Sequence, residues 1–202
     1  MASTASPYGL RAVNELGGLP YAGSTRTFLI DPAGYNTNIF NGSIVAINTN
    51  GYINIVTTNG DNSTPFPAGT IGVFVGCSFV NAQGQTMYSQ YYPANTTGVV
   101  EAYVIDDDRA VFQAQADGSL TQAALGANIY LAAVQSTSTG STTTGNSNTA
   151  LDASTAATTS GFAFRIVGFA NVPGFSQVGD QFTDVLVKFN PGAHSYSNAT
   201  GI

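Results

Sequence analysis

Asp106, Asp107 and Asp108 stand side by side, and three carboxylates in one turn are the kind of ligand a hard cation such as Ca²⁺ takes. A loop site of that type also needs ligands at alternating positions and a further carboxylate. Here three consecutive side chains fan apart, and no Asp-x-Asp-x-Asp-Gly run is present. The triplet therefore reads as a charged turn between two strands, with Arg109 as its compensating cation, and no metal is expected. His194 is the single histidine and Cys77 the single thiol. A nucleophilic triad or a zinc centre needs histidine together with a nucleophile, a carboxylate or further ligands. Glu15 and Glu101 are the only glutamates, and neither has the context of a glycosidase pair. No Gly-x-Ser-x-Gly elbow, Lys-Ser/Thr phosphate loop or dinucleotide fingerprint occurs. The chain is expected to be no enzyme, with no catalytic residues and no cofactor.

The tyrosines are a stronger lead. Tyr88, Tyr91, Tyr92 and Tyr103 fall on adjacent expected strands, and tyrosine rings anchor protein interfaces or stack on sugars. Tyr91-Tyr92 before Pro93 sends one ring to each side of the chain, so one of the two is expected at a surface. A plainer reading is also open: with no Trp in the sequence, Tyr and Phe fill the core.

The elements that must hold these residues are strands. Residues 71–80, Ile-Gly-Val-Phe-Val-Gly-Cys-Ser-Phe-Val, are apolar, β-branched and aromatic, which predicts a buried strand with Ile71, Val73, Val75 and Cys77 on one face. Gly72 and Gly76 leave room for a close backbone approach. Residues 43–47 and 52–56 flank Asn50-Gly51, a hairpin signal. Further strands are predicted over 86–92, 99–105, 110–115, 130–134, 162–169 and 182–189. The one expected helix, residues 121–125, is one or two turns, stopped by Gly126. Residues 135–150 are Ser/Thr/Gly/Asn-rich and read as a solvated loop, or as a connection that orders against a partner. Many short strands with turn signals about ten residues apart predict an all-β chain, either a β-barrel (β-tulip) or a sandwich-like domain.

Residues 1–36 differ. Gly and Pro interrupt them repeatedly, yet Tyr8, Leu10, Val13, Leu16 and Tyr21 are spaced between, with Arg11 and Arg26. The expected organisation is an extended irregular N-terminal arm, 1–36, followed by a β-domain, 37–202. The arm either docks onto a partner through those seven residues, with Tyr91 and Tyr92 as further partner-binding positions, or packs on its own domain.

At 202 residues the chain can bury a sizeable core without disulfides, and Cys77 reads as a small buried hydrophobe of a protein made in a reducing cytoplasm. Charged residues make up only 8% against about 25% in an average domain. Uncharged polar surface is cheaper to dehydrate than charge, so it suits assembly interfaces. The net charge is −6 and the five basic residues are scattered, so no nucleic-acid partner is expected. No stretch approaches the apolar length of a membrane span, and residues 1–6 do not read as a signal peptide.

Five segments in this order carry a resemblance: Ser6-Pro7-Tyr8-Gly9-Leu10-Arg11, Tyr21-Ala22-Gly23-Ser24-Thr25-Arg26, Ile71-Gly72-Val73-Phe74-Val75-Gly76, Ser89-Gln90-Tyr91-Tyr92-Pro93-Ala94 and Thr183-Asp184-Val185-Leu186-Val187. Together they resemble tailed-bacteriophage virion structural proteins. The pattern around Gly42-Ser43-Ile44-Val45, Gly51 and residues 71–74 is similar to the β-tulip barrels of head-decoration, or capsid cement, proteins. The resemblance implies a virion protein on the outer capsid surface, synthesised in the host bacterial cytoplasm. Its partner would be the major capsid protein, and it would act as a homo-trimer that stabilises the shell. A carbohydrate-binding or host-attachment β-domain, such as a fibre base or minor head protein, is the alternative.

Overall fold

A computed structural model describes residues 4–202. Turn chemistry sets its strand boundaries. At Asn48 the side-chain oxygen accepts from the N–H groups of Asn50 (2.9 Å) and Tyr52 (3.1 Å), and Gly51 takes φ +82°. That turn joins β3 (Ile44–Ile47) to β4 (Ile53–Ile55), as the Asn-Gly pair predicts.

The remaining strands are β1 (Arg11–Glu15), β2 (Arg26–Ile30), β5 (Thr70–Val80), β6 (Thr86–Ser89), β7 (Val100–Ile105), β8 (Ala110–Gln115), β9 (Asn128–Ile129), β10 (Phe164–Phe169) and β11 (Asp184–Phe189). They form two sheets in which every pairing is antiparallel. One runs β1-β8-β11-β10-β9; the other runs β2-β7-β5-β3-β4, with β6 added to β5. The all-β, sandwich-like expectation holds. The barrel alternative does not: the six-stranded sheet curls until its edge strands β2 and β4 are neighbours, but among the described residues no hydrogen-bonded ladder closes it.

Two apolar cores result. One lies between the sheets, where Phe164 and Phe189 stand 4.8 Å apart, Phe112 meets Phe189 edge-on, and Ile44, Val73 and Ile105 reach across from the other sheet. The second fills the concave face of the curled sheet with Ile30, Val45, Ile71, Phe74, Cys77, Val100, Ala102 and Val104, capped by Ile39 and Tyr92.

Strand β5 serves both cores because it is bulged. Its register slips against β3 at Ile71 and against β7 at Val75. The simple alternation expected for residues 71–80 is therefore corrected: Ile71, Phe74 and Cys77 enter the curled core, whereas Val73 and Val75 face the other sheet. Gly72, at φ +142°, sits where a Cβ would overlap the carbonyl oxygen of Ile105. That close backbone approach is what the glycine makes possible.

Other expectations change in detail. Residues 121–125 contain one 3₁₀ turn, Gln122–Ala124. No strand spans 130–134; Leu131 instead makes an isolated bridge to Leu151, and its N–H donates to the Asn59 carbonyl (3.0 Å). Residues 135–150 are anchored to the domain at several points, while residues 137–138 and 141–144 stay exposed. Asn146 bridges Asn41, Gly140 packs under the Phe40 ring, and Gln135, Ser147 and Thr149 are buried.

The segment 1–36 is extended and largely irregular over its described part, but it is no detachable arm. Its described part packs on the rest of the chain. β1 pairs with β8, β2 pairs with β7, and Leu10 and Ile30 are fully buried.

Candidate interaction surfaces

The carboxylate triplet is resolved into three different roles. Asp106 is buried and accepts from Arg26 Nη1 (2.8 Å) and from the Tyr196 hydroxyl (2.7 Å), while Arg26 also donates to Tyr196 Oη (2.5 Å). This Arg26–Asp106 contact is the only ion pair among the described residues. Asp107 accepts from the Arg109 backbone N–H (2.8 Å) in a local turn, and Asp108 is exposed. The compensating cation is thus Arg26, 80 residues away in sequence, and not Arg109. Tyr196 is held between an acid and a base; burial first, and then its bond to Asp106, raises its pKa. Among the described residues, no three His, Cys, Asp or Glu side chains converge as metal ligands.

His194 is buried among Phe189 and Tyr196, with its ring centroid 5.5 Å and 5.2 Å from theirs. Its Nδ1 accepts from the Tyr196 N–H (3.2 Å), which makes Nε2 the protonated nitrogen of the neutral ring. Burial lowers its pKa, against the opposing pull of Asp108, Asp106 and Asp107. Cys77 is buried with its Sγ against the Tyr91 carbonyl (3.5 Å), and burial pushes its thiol up to about 12. It is a packing residue and not a thiolate at neutral pH.

Of the expected partner-binding residues, two are overturned. Leu10 lies in the inter-sheet core, its N–H bonded to the Gly42 carbonyl (3.0 Å), so it anchors the chain to itself. Tyr92 is wholly buried; its hydroxyl accepts from the Tyr35 N–H (3.0 Å) and lies 3.1 Å from the carbonyls of Tyr35 and Thr96. Its neighbour Tyr91 is half-buried and stacks on Phe40 at 5.6 Å. Tyr8 is half-buried under the Arg11 guanidinium, 4.6 Å from its ring centre, and its hydroxyl reaches Asp184 (3.3 Å). Burial and then Asp184 raise the Tyr8 pKa. Tyr21 is half-buried and donates to the Ser24 carbonyl. Val13, Leu16 and the additional Leu19 are exposed along β1 and the turn after it, where Glu15 N–H bonds the Leu19 carbonyl (2.8 Å). With the exposed Arg11 they line the β1 edge, whereas Arg26 is exposed on β2 of the other sheet and paired with Asp106.

The four tyrosines of the sequence reading do not share one face. Tyr88 is 77% exposed on β6, Tyr103 is half-buried with its hydroxyl on Ser78 Oγ (2.9 Å), Tyr91 is half-buried and Tyr92 is buried.

A second surface was not anticipated. Leu29 of β2 faces Glu101 of β7, Glu101 faces Ser78 of β5, and Ser78 faces Tyr88 of β6, so one cross-strand row runs over four strands. Alternate residues (Phe28, Ala102, Cys77) turn into the curled core. The row itself lies on the convex side, past the region where Ile44, Val73 and Ile105 are covered by the second sheet. Beside it, Ser78, Val80, Thr86, Val99 and Glu101 line a groove of about 230 Å³. The readable signal for this surface was the run from Asn62 to Val100, which contains no charged residue.

Comparison with protein-family models, with curated proteins and with solved structures finds no match.

Proposed function

We propose that this chain is a non-enzymatic structural protein of a phage head, binding the outer surface of the major capsid protein shell and stabilising it as a trimer. The observation that carries the reading is the character of the exposed surface. Large uncharged side chains stand out from it, among them Leu16, Leu19, Val80, Tyr88, Val99 and Phe175, in a protein with one Lys and two Glu. Interfaces favour such side chains and are depleted in Lys and Glu. The groups with reactive chemistry are otherwise engaged: Cys77 and His194 are buried in packing, and Asp106 is held by Arg26.

The burial of Leu10 and Tyr92 redirects the docking element. Shell contact is assigned to the exposed edge built by Arg11, Val13, Leu16 and Leu19, which presents apolar groups beside a cation on an otherwise acidic chain, while Arg26 is held by Asp106. An apolar patch rimmed by complementary charge both binds and steers a partner.

The test is co-sedimentation of the purified chain with expanded heads assembled from the major capsid protein of the same genome. Wild-type chain pellets with the heads, and Val13→Asp with Leu16→Asp stays in the supernatant while remaining folded. Binding to a glycan array without binding to heads would instead support a host-attachment domain.

A further inference from the structure

The convex row Leu29–Glu101–Ser78–Tyr88 ends at a free strand edge, since β6 pairs with β5 and with no other strand among the described residues. From it Tyr88 projects 77% exposed, and Leu29, Val80 and Val99 are exposed by 46%, 56% and 66%. We propose that this surface joins copies of the chain to one another, with Tyr88 of one copy seated in the Val80–Val99–Glu101 groove of the next.

Three observations select a second copy as the occupant. The first is charge. The chain carries −6, so two copies repel wherever acidic residues face each other, yet no charged residue occurs from Asn62 to Val100 and Glu101 is the one charge in the groove. The surface is the place where like-charged copies approach at least cost. The second is complementarity. Tyr88 supplies a rigid aromatic body and a hydroxyl donor; the groove supplies two valine walls and the Glu101 carboxylate, an acceptor in no ion pair among the described residues. A tyrosine ring buried against aliphatic walls with its hydroxyl on an acceptor is the composition of an interface hot spot.

The third is area. Leu29, Val80, Tyr88 and Val99 together expose on the order of 500 Å², a large part of the roughly 800 Å² per partner that a standard interface covers. Strand β6 adds an unpaired edge without Lys, Glu or Pro, the residues that ordinarily block pairing between copies. This inference rests on the reading that copies associate, and uses a different face from the one assigned to the shell.

Sedimentation equilibrium of the full chain at tens of micromolar, in moderate salt, tests it. Wild type is expected to run as a multiple of its 20.8 kDa monomer. Tyr88→Ala and Val99→Asp, both at exposed positions, are each expected to weaken association at least tenfold with unchanged circular dichroism. Phe175→Ala, at an equally exposed aromatic elsewhere, is the control and leaves association intact. A wild-type monomer, unaffected Tyr88 and Val99 variants, or an equal effect of Phe175→Ala overturns the inference. Head binding is scored on the same preparations. A monomer that still coats heads removes this inference and the trimer but leaves shell binding standing; an oligomer that ignores heads removes shell binding alone.

Discussion

The side-chain amide of Gln135 closes on the backbone of Ile44: Oε1 accepts from the Ile44 N–H at 2.8 Å, and Nε2 donates to the Ile44 carbonyl at 3.1 Å. The same Nε2 donates to the Val56 carbonyl at 3.0 Å. One glutamine thus satisfies three buried backbone groups at the point where β3 passes beneath residues 135–150. The Ile44 carbonyl also accepts from the Val56 N–H (3.0 Å), so losing the amide leaves the Ile44 N–H and the Val56 carbonyl unpaired, at about 1–3 kcal/mol each. Gln135→Ala is expected to lower unfolding free energy by roughly 3 kcal/mol or more in urea denaturation. Gln135→Glu is expected to be worse, because a carboxylate still accepts from Ile44 but has no hydrogen to donate to two carbonyls.

Leu10 fixes the N-terminal segment. It is packed between the sheets, so Leu10→Ala is expected to cost 2–5 kcal/mol, by the transfer and cavity terms of a buried leucine. Leu19→Ala, at the exposed turn, is expected to fall within about 0.5 kcal/mol of wild type. Deleting residues 1–26 removes Leu10 and the whole of β1, and the melting temperature is expected to drop sharply or the fold to be lost. Urea titrations and thermal melts of the three proteins check this together.

These two residues show what was legible and what was not. Period-2 apolar runs and turn residues identified β3, β4, β5, β7, β8, β10 and β11, because those signals are local. β1 and β2 were hidden: each is five residues long, flanked by Gly and Pro, and paired with a strand far away in sequence, Arg11 opposite Gln113 and Arg26 opposite Val104. Gln135 looked like the start of a low-complexity loop because its partners lie 91 and 79 residues away. The bulges in β5 defeated a simple alternation although the glycines that mark them were visible. For the surface, the type of residue was readable and its exposure was not: Tyr88 and Tyr92 are four positions apart, and one is on the surface while the other is wholly buried.

His194 gives the fold a defined acid sensitivity. Burial holds its pKa below the usual value near 6.5, so between that value and its native pKa the unfolded chain binds more protons than the folded one. Stability is therefore full above about pH 6.5 and declines as pH falls toward the native pKa. Protonating Nδ1 would also set an N–H against the Tyr196 N–H that it now accepts from. Thermal melts between pH 5 and 7 are expected to show this decline (the range lies above ordinary carboxylate titration). His194→Asn keeps an acceptor near Tyr196 and removes the titration, so its melting temperature is expected to vary less over the same range.

Cys77 is expected to resist alkylation. With its thiol pushed up to about 12 and its side chain buried in the curled core, iodoacetamide at pH 8 should modify native protein far more slowly than protein in denaturant. Mass spectrometry of both reactions checks it; equal rates would mean that the curled sheet opens readily.

The central claim is that the chain coats a phage head, and the most direct measurement is its copy number on expanded heads, titrated to saturation and quantified after sedimentation. The account predicts saturation at a fixed ratio to the major capsid protein, heads that withstand higher temperature once coated, and loss of both with Val13→Asp and Leu16→Asp. Heads that sediment free of the chain at tens of micromolar, or binding that never saturates and leaves their heat resistance unchanged, would contradict it.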